Sequence, residues 1–213
     1  MKWFQKTTLQ RLRWQMGKLI TFEGVDGSGK TSLVNETAKK LKAHGYTVIV
    51  MQEPGTTDMG QEIRKLLKSD LERSKMSEIL LFQASRSDMV ERVLKPALDK
   101  YDYVLLDRYI DSTLAYQGYG NGADIQLLNQ LNDLAVNGCY PDATILVDVP
   151  LEIALSRGRK RGDADKFDKD LEFATKVYNG YQDLLQKTER MIAVPNDYLD
   201  LAVEDVFGIL TNA

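Results

Sequence analysis

Apolar residues follow two alternating rhythms along the chain. Short apolar runs at Leu19–Phe22, Thr47–Met51, Tyr103–Leu106, Thr144–Val147 and Met191–Val194 predict five strands. Between them, helical patterns run over Thr31–Ala43, Gly60–Lys68, Ser77–Lys100, Ile125–Asn137, Leu151–Arg157 and Asp170–Gln186, with a last helix at Leu201–Leu210. Within Ser77–Lys100, Ile79, Leu80, Phe82, Met89, Val90, Val93 and Leu94 recur near helical spacing, so one face belongs to a core. Strands alternating with helices imply an α/β fold, a parallel sheet covered on both faces. Ligands of such sheets sit beyond the carboxyl ends of the strands. No repeat, low-complexity stretch or linker interrupts residues 16–213, which read as one domain.

The first strand runs into Gly24-Val25-Asp26-Gly27-Ser28-Gly29-Lys30-Thr31, and a helix follows. This fits the phosphate-binding pattern G-x-x-x-x-G-K-[ST] in its strand–loop–helix setting. The glycines let backbone N–H groups turn inward as an anion nest. Lys30 reaches β/γ-phosphates, Thr31 offers a hydroxyl to Mg²⁺, and the helix from Ser32 points its positive end at the phosphates. Gly24, Val25, Asp26, Gly27, Ser28, Gly29, Lys30, Thr31 and Ser32 are thus the expected ATP-phosphate contacts.

Composition narrows the partners. A net charge of −3 argues against a general nucleic-acid binder. No apolar run approaches the ~20 residues of a membrane span, and a cytoplasmic location is expected. A single cysteine, Cys139, excludes an internal disulfide and is expected to be a buried, inert thiol; His44, the lone histidine, reads as a surface residue. Residues 1–15 carry Lys2, Lys6, Arg11 and Arg13 with no acid. They lack an apolar signal core, and are read as a poorly ordered leader or an over-extended start, with Met16 a candidate first residue.

Acids close two further strands. Asp107 ends the third, in the place of a Mg²⁺-organising carboxylate, and Arg108 follows it with a fork suited to phosphate oxygens. Glu53 ends the second, before a sharp Pro54-Gly55 turn, and Arg64 lies one helical turn into the next segment. Thr31, Glu53 and Asp107 are the expected metal residues. Arg157, Arg159 and Arg161, flanked by Gly158 and Gly162, read as a lid over about residues 157–168 that brings charge to a transferring phosphoryl group.

These residues, with Leu80-Leu81-Phe82-Gln83-Ala84-Ser85-Arg86, Pro96-Ala97-Leu98, Tyr140-Pro141-Asp142 and above all Asp107-Arg108-Tyr109-Ile110-Asp111-Ser112-Thr113-Leu114-Ala115-Tyr116-Gln117-Gly118, resemble the thymidylate kinase family from Met16 onward. The resemblance implies a P-loop NTPase fold with a short lid, ATP and dTMP as substrates, Mg²⁺ as cofactor and a homodimer. It implies catalytic roles for Lys30, Asp26, Arg108, Arg157, Arg159 and Arg161. It places Phe82 on the thymine ring, Arg86 at O4, Thr113 and Gln117 on the base edge, Tyr116 against the deoxyribose, and Arg64 and Arg108 on the acceptor phosphate, beside Glu53. Departures stand at Gln52, where an Arg is usual, at Thr56 for the usual Gly, at Asp88 and Met89, and in the lid at Asp165-Lys166-Phe167-Asp168. They keep two alternatives in view: a related kinase acting on another nucleotide or deoxynucleoside, and a non-catalytic nucleotide-binding module.

Overall fold

A computed structural model describes residues 17–160 and 171–211; the leader and the lid segment from Arg161 lie outside the described residues. Five parallel strands, β1 (Lys18–Glu23), β2 (Val48–Gln52), β3 (Tyr103–Asp107), β4 (Ala143–Asp148) and β5 (Met191–Pro195), form one sheet in the order β2-β3-β1-β4-β5. The continuous apolar runs explain which strands are central. Leu19, Ile20 and Phe22 of β1 and Val104, Leu105 and Leu106 of β3 are almost fully buried, because helices cover both faces. On one face, α1 (Lys30–Ala43) and α9 (Leu199–Thr211) pack through Leu33, Leu41, Val206 and Leu210. The other face carries α3 (Lys75–Met89), α4 (Lys95–Leu98), α6 (Ile125–Val136), α7 (Leu151–Lys160) and α8 (Leu171–Lys187).

Two regions depart from the expected elements. The single helix predicted over Ser77–Lys100 is three pieces: α3, a π-helical turn at Val90–Leu94, and α4. Pro96 has no N–H to donate and its ring crowds the preceding turn, so the wider turn absorbs the misfit. Beyond β3, where no helix is predicted, α5 (Ile110–Thr113) runs into a second π-helical stretch, Leu114–Gly120. That stretch packs closely on α8: a Cβ at Gly120 would stand 2.5 Å from Phe173 Cε2. The remaining helix, α2 (Asp58–Lys68), starts earlier than expected because the Thr57 side chain accepts from Gly60 N at 2.9 Å. His44 is exposed, as expected, with Nδ1 2.8 Å from Lys40 O. Cys139 is half-buried rather than buried, and burial still pushes its thiol pKa up, which keeps it protonated.

Candidate active site

The loop after β1 wraps as the glycines allow, with Gly24, Gly27 and Gly29 at φ 140°, 86° and 92°. Helix α1 begins at Gly29 with no capping side chain and no acid in its first turn, so its positive end is left for an anion. Lys30 Nζ folds back to donate to Gly24 O and Val25 O, each at 2.8 Å. Burial, then the Arg108 guanidinium, pushes its pKa down to about 8. Thr31 Oγ1 donates to Asp107 Oδ2 at 2.7 Å, joining the head of α1 to the end of β3. Among the described residues, no group of three His, Cys, Asp or Glu gathers to hold a metal. A hydroxyl and one carboxylate nonetheless suit Mg²⁺, which keeps several waters when it accompanies phosphates.

Beside this loop lies a cavity of about 310 Å³. Its wall contains every residue expected to bind the acceptor: Glu53, Arg64, Phe82, Arg86, Arg108, Thr113, Tyr116 and Gln117, together with the P-loop acid Asp26. The sheet order brings them together. Strand β3 lies between β1 and β2, so the loops after all three open on one side. Arg108 leaves β3 at φ 71°, an uncommon conformation for a residue with a Cβ, and its guanidinium pairs with Asp26 at the mouth of the cavity. It also lies 4.8 Å from the centroid of the Tyr116 ring, whose hydroxyl accepts from Nη2 at 3.0 Å. Burial alone would raise the Asp26 carboxyl; Arg108 and Lys30 outweigh it and hold the pKa below the ordinary value. The Asp26 side chain is 45% exposed, so water screens part of that pairing.

Arg86 is 2% exposed, and all of its donors are engaged. Nε donates to Glu53 Oε2 at 3.1 Å, Nη1 to Asn132 Oδ1 and to Gln83 Oε1 at 3.4 Å, and Nη2 to Tyr109 O and Thr113 Oγ1, both at 3.0 Å. Glu53, one of the expected metal residues, meets Arg86 here. Its carboxylate is committed to Arg86, with Oε1 in a charge contact at 2.7 Å that lacks hydrogen-bond geometry, while Thr31 and Asp107 pair with each other. Burial raises the Glu53 pKa against the opposing effect of Arg86.

The unusual residues of the Glu53 loop form contacts of their own. Thr56 Oγ1 donates to Gln52 O at 2.8 Å and accepts from Gln52 N at 3.0 Å, so it closes the turn around the cis Glu53–Pro54 peptide. Arg64 Nη1 donates to Pro54 O at 2.8 Å, and the Gln52 amide, once flipped so that its oxygen faces Arg64, would accept from Nη2 at 2.8 Å. Arg157 does not overhang the acceptor cavity. Its Nη1 and Nη2 donate to Asn196 O at 3.1 and 3.0 Å, and Asn196 Nδ2 donates to Ser28 O at 2.8 Å, so the pair braces the back of the P-loop. The Arg159 side chain and Arg161 lie outside the described residues.

Sequence reading missed four residues that organise this site: Glu23, Ser112, Asn132 and Tyr181. Glu23 directly precedes the phosphate-binding motif and Ser112 stands inside the Asp107–Gly118 motif, but nothing about a strand-end acid or a serine told which partner it meets. Asn132 is a buried polar residue on an otherwise ordinary amphipathic helix, visible only once α6 is placed against α3.

A family model described as thymidylate kinase matches residues 22–205. The chain belongs to the thymidylate kinase family. A thymidylate kinase of Staphylococcus haemolyticus is 42% identical over 202 residues, covering 92% of this chain and 98% of that protein. One from Nostoc sp. is 42% identical over 183 residues, covering 83% and 86%. A crystal structure of thymidylate kinase from Ehrlichia chaffeensis superposes with a TM-score of 0.78 at 32% identity, covering 92% of this chain and all of that one.

Proposed function

We propose that this chain transfers the γ-phosphoryl group of ATP to the 5′-phosphate of dTMP, giving dTDP and ADP. The observation that carries the reading is the acceptor cavity, where eight residues spread from Glu53 to Gln117 line one wall beside the P-loop. An acceptor phosphate oxygen is already anionic at neutral pH, so the reaction needs no general base. Catalysis then reduces to alignment and charge stabilisation. Arg108, next to Asp26 and the P-loop, would grip the acceptor phosphate, and Arg64 lines the same cavity. Lys30 would exchange its two loop carbonyls for ATP phosphate oxygens. Thr31 and Asp107 would hold the Mg²⁺ that accompanies ATP, whose charge offsets that of the phosphates.

Of the other residues lining the cavity, Phe82 would stack on the base and Tyr116 would sit against the sugar. A donation from Arg86 to O4 requires one present contact to yield, and the 3.4 Å bond to Gln83 is the longest. An acceptor wanted at that position disfavours cytosine, whose amine is a donor. The family resemblance further supports a homodimer in the cytoplasm. Leu80 and Leu134, 49% and 77% exposed, offer apolar surface for it, and light scattering of the purified chain would test the dimer.

The test of the reaction is direct. Purified chain is incubated with γ-labelled ATP, Mg²⁺ and dTMP, and the products are separated. Label in dTDP is expected; label only in inorganic phosphate, or left wholly in ATP, would overturn the reading.

A further inference from the structure

Arg108 enters the mechanism, but the carboxylate beneath it does not. Glu23 ends β1 with no exposed surface, and four donors converge on it. Tyr109 N and Ser112 N donate to Oε1 at 2.7 and 3.2 Å, and Ser112 Oγ and Tyr181 Oη donate to Oε2 at 2.5 and 3.0 Å. Three come from Tyr109 and Ser112 at the start of α5, which line the cavity, and the fourth from helix α8. A carboxylate accepts and cannot donate, so both hydroxyls turn their protons toward it. Their lone pairs are then left for Arg108, whose Nη1 reaches Ser112 Oγ at 3.0 Å and Tyr181 Oη at 3.4 Å. The two backbone amides that Glu23 holds belong to the turn that carries Arg108 at φ 71°. A non-glycine residue keeps such a φ only where its surroundings fix it.

We propose that Glu23 is a positioning residue for phosphoryl transfer: it fixes the Arg108 turn and, through the Ser112 and Tyr181 hydroxyls, aims the guanidinium at the acceptor phosphate. Glu23 itself touches no substrate. The inference rests on the reaction given above. It differs from a purely structural role in one respect: its effect must run through Arg108.

A double-mutant cycle of Glu23→Gln with Arg108→Ala tests this. The Gln side chain keeps the shape of Glu, but its amide group donates, which forces a hydroxyl to reverse. Glu23→Gln alone is expected to lower kcat by roughly 10- to 100-fold, the scale of a misplaced catalytic group, with KM for ATP within about twofold. In the Arg108→Ala background it is expected to lower kcat by less than about twofold, because the coupled partner is gone. Full additivity, or a Glu23→Gln kcat within about twofold of the parent, would overturn the proposal. If Glu23→Gln does not fold, Ser112→Ala with Tyr181→Phe removes both bridging hydroxyls and leaves the carboxylate. The same kcat loss, again absent with Arg108→Ala, is expected, and an unchanged kcat would overturn the proposal. The same cycles are also read in dTMP binding by calorimetry, which needs no turnover. A parent chain that never phosphorylates dTMP refutes the reaction, and the binding cycle still decides the role of Glu23.

Discussion

Arg108 combines an uncommon backbone conformation with four side-chain partners: Asp26, Ser112, Tyr116 and Tyr181. Holding a residue with a Cβ at φ 71° costs ~1–3 kcal/mol, and the structure offsets that cost with hydrogen bonds aimed at one spot. Arg108→Ala should therefore lower kcat by roughly 10³-fold, the scale of an arginine acting on a transferring phosphoryl group, with far-UV circular dichroism unchanged. A kcat within about tenfold of the parent would remove Arg108 from the chemistry. Lys30 gives a pH signature. Its pKa, pushed down to about 8 in the free protein, means the ammonium is lost as pH rises through that value. So kcat/KM for ATP should fall above about pH 8, while bound polyphosphate raises the pKa and moves the limb of kcat to higher pH. The same group acts oppositely on stability. Between about 8 and its ordinary value of 10.5 the unfolded chain binds more protons, so this group's unfavourable contribution fades as pH rises. Equal limbs in kcat and kcat/KM would count against the placement of Lys30.

At the scale of elements, two contacts fix where the site sits. A Cβ at Gly27, where φ is 86°, would lie 2.0 Å from Ala154 O, so the P-loop rests directly on the backbone of α7. Gly27→Ala must push α7 away or distort the loop. A loss of about 1–3 kcal/mol in denaturant melts, with a raised KM for ATP, is expected; an unchanged melt would show that the loop has room. The buried Arg86–Glu53 pair joins α3 to the end of β2. Arg86→Met alone leaves a buried carboxylate unpaired and should cost about 3–5 kcal/mol, and adding Glu53→Leu should recover most of it. A double variant as unstable as the single would contradict that account. The strands and most helices were legible because continuous apolar runs and period-3.6 patterns follow from burial. The π-helical stretches at Val90–Leu94 and Leu114–Gly120 were not legible, since i→i+5 turns have no apolar period of their own. Pro96 marked the first only as an irregularity. The P-loop could be read because each residue has one local job. The partners of Arg86 could not, because Glu53, Asn132 and Tyr109, which saturate it, come from three other parts of the chain.

Across the whole molecule, the strand order gathers the three site-bearing loops on one edge of the sheet. A half-buried ion pair ties the start of β5 to α5. Arg190, ahead of β5, grips Asp111 of α5 at 2.8 and 2.9 Å, across the line of β1 and β4. Asp26 and Arg108 therefore line the same cavity as Phe82 and Arg86, next to the carboxyl ends of the strands. The altered Gln52 and Thr56 belong to that arrangement, since they brace Arg64 and the Glu53 turn instead of leaving gaps. A non-catalytic module would not require Asp26, Arg108, Arg64 and Phe82 to line one cavity. The most direct measurement is kcat/KM of the purified chain with ATP and Mg²⁺ for dTMP, dUMP, dCMP, dGMP and thymidine in parallel. The account predicts dTMP first, dUMP weaker but real by roughly the 10- to 200-fold that one methyl group is worth, and dCMP, dGMP and thymidine far behind. Preference for any of those last three, or no transfer to any acceptor while ATP still binds, would contradict it.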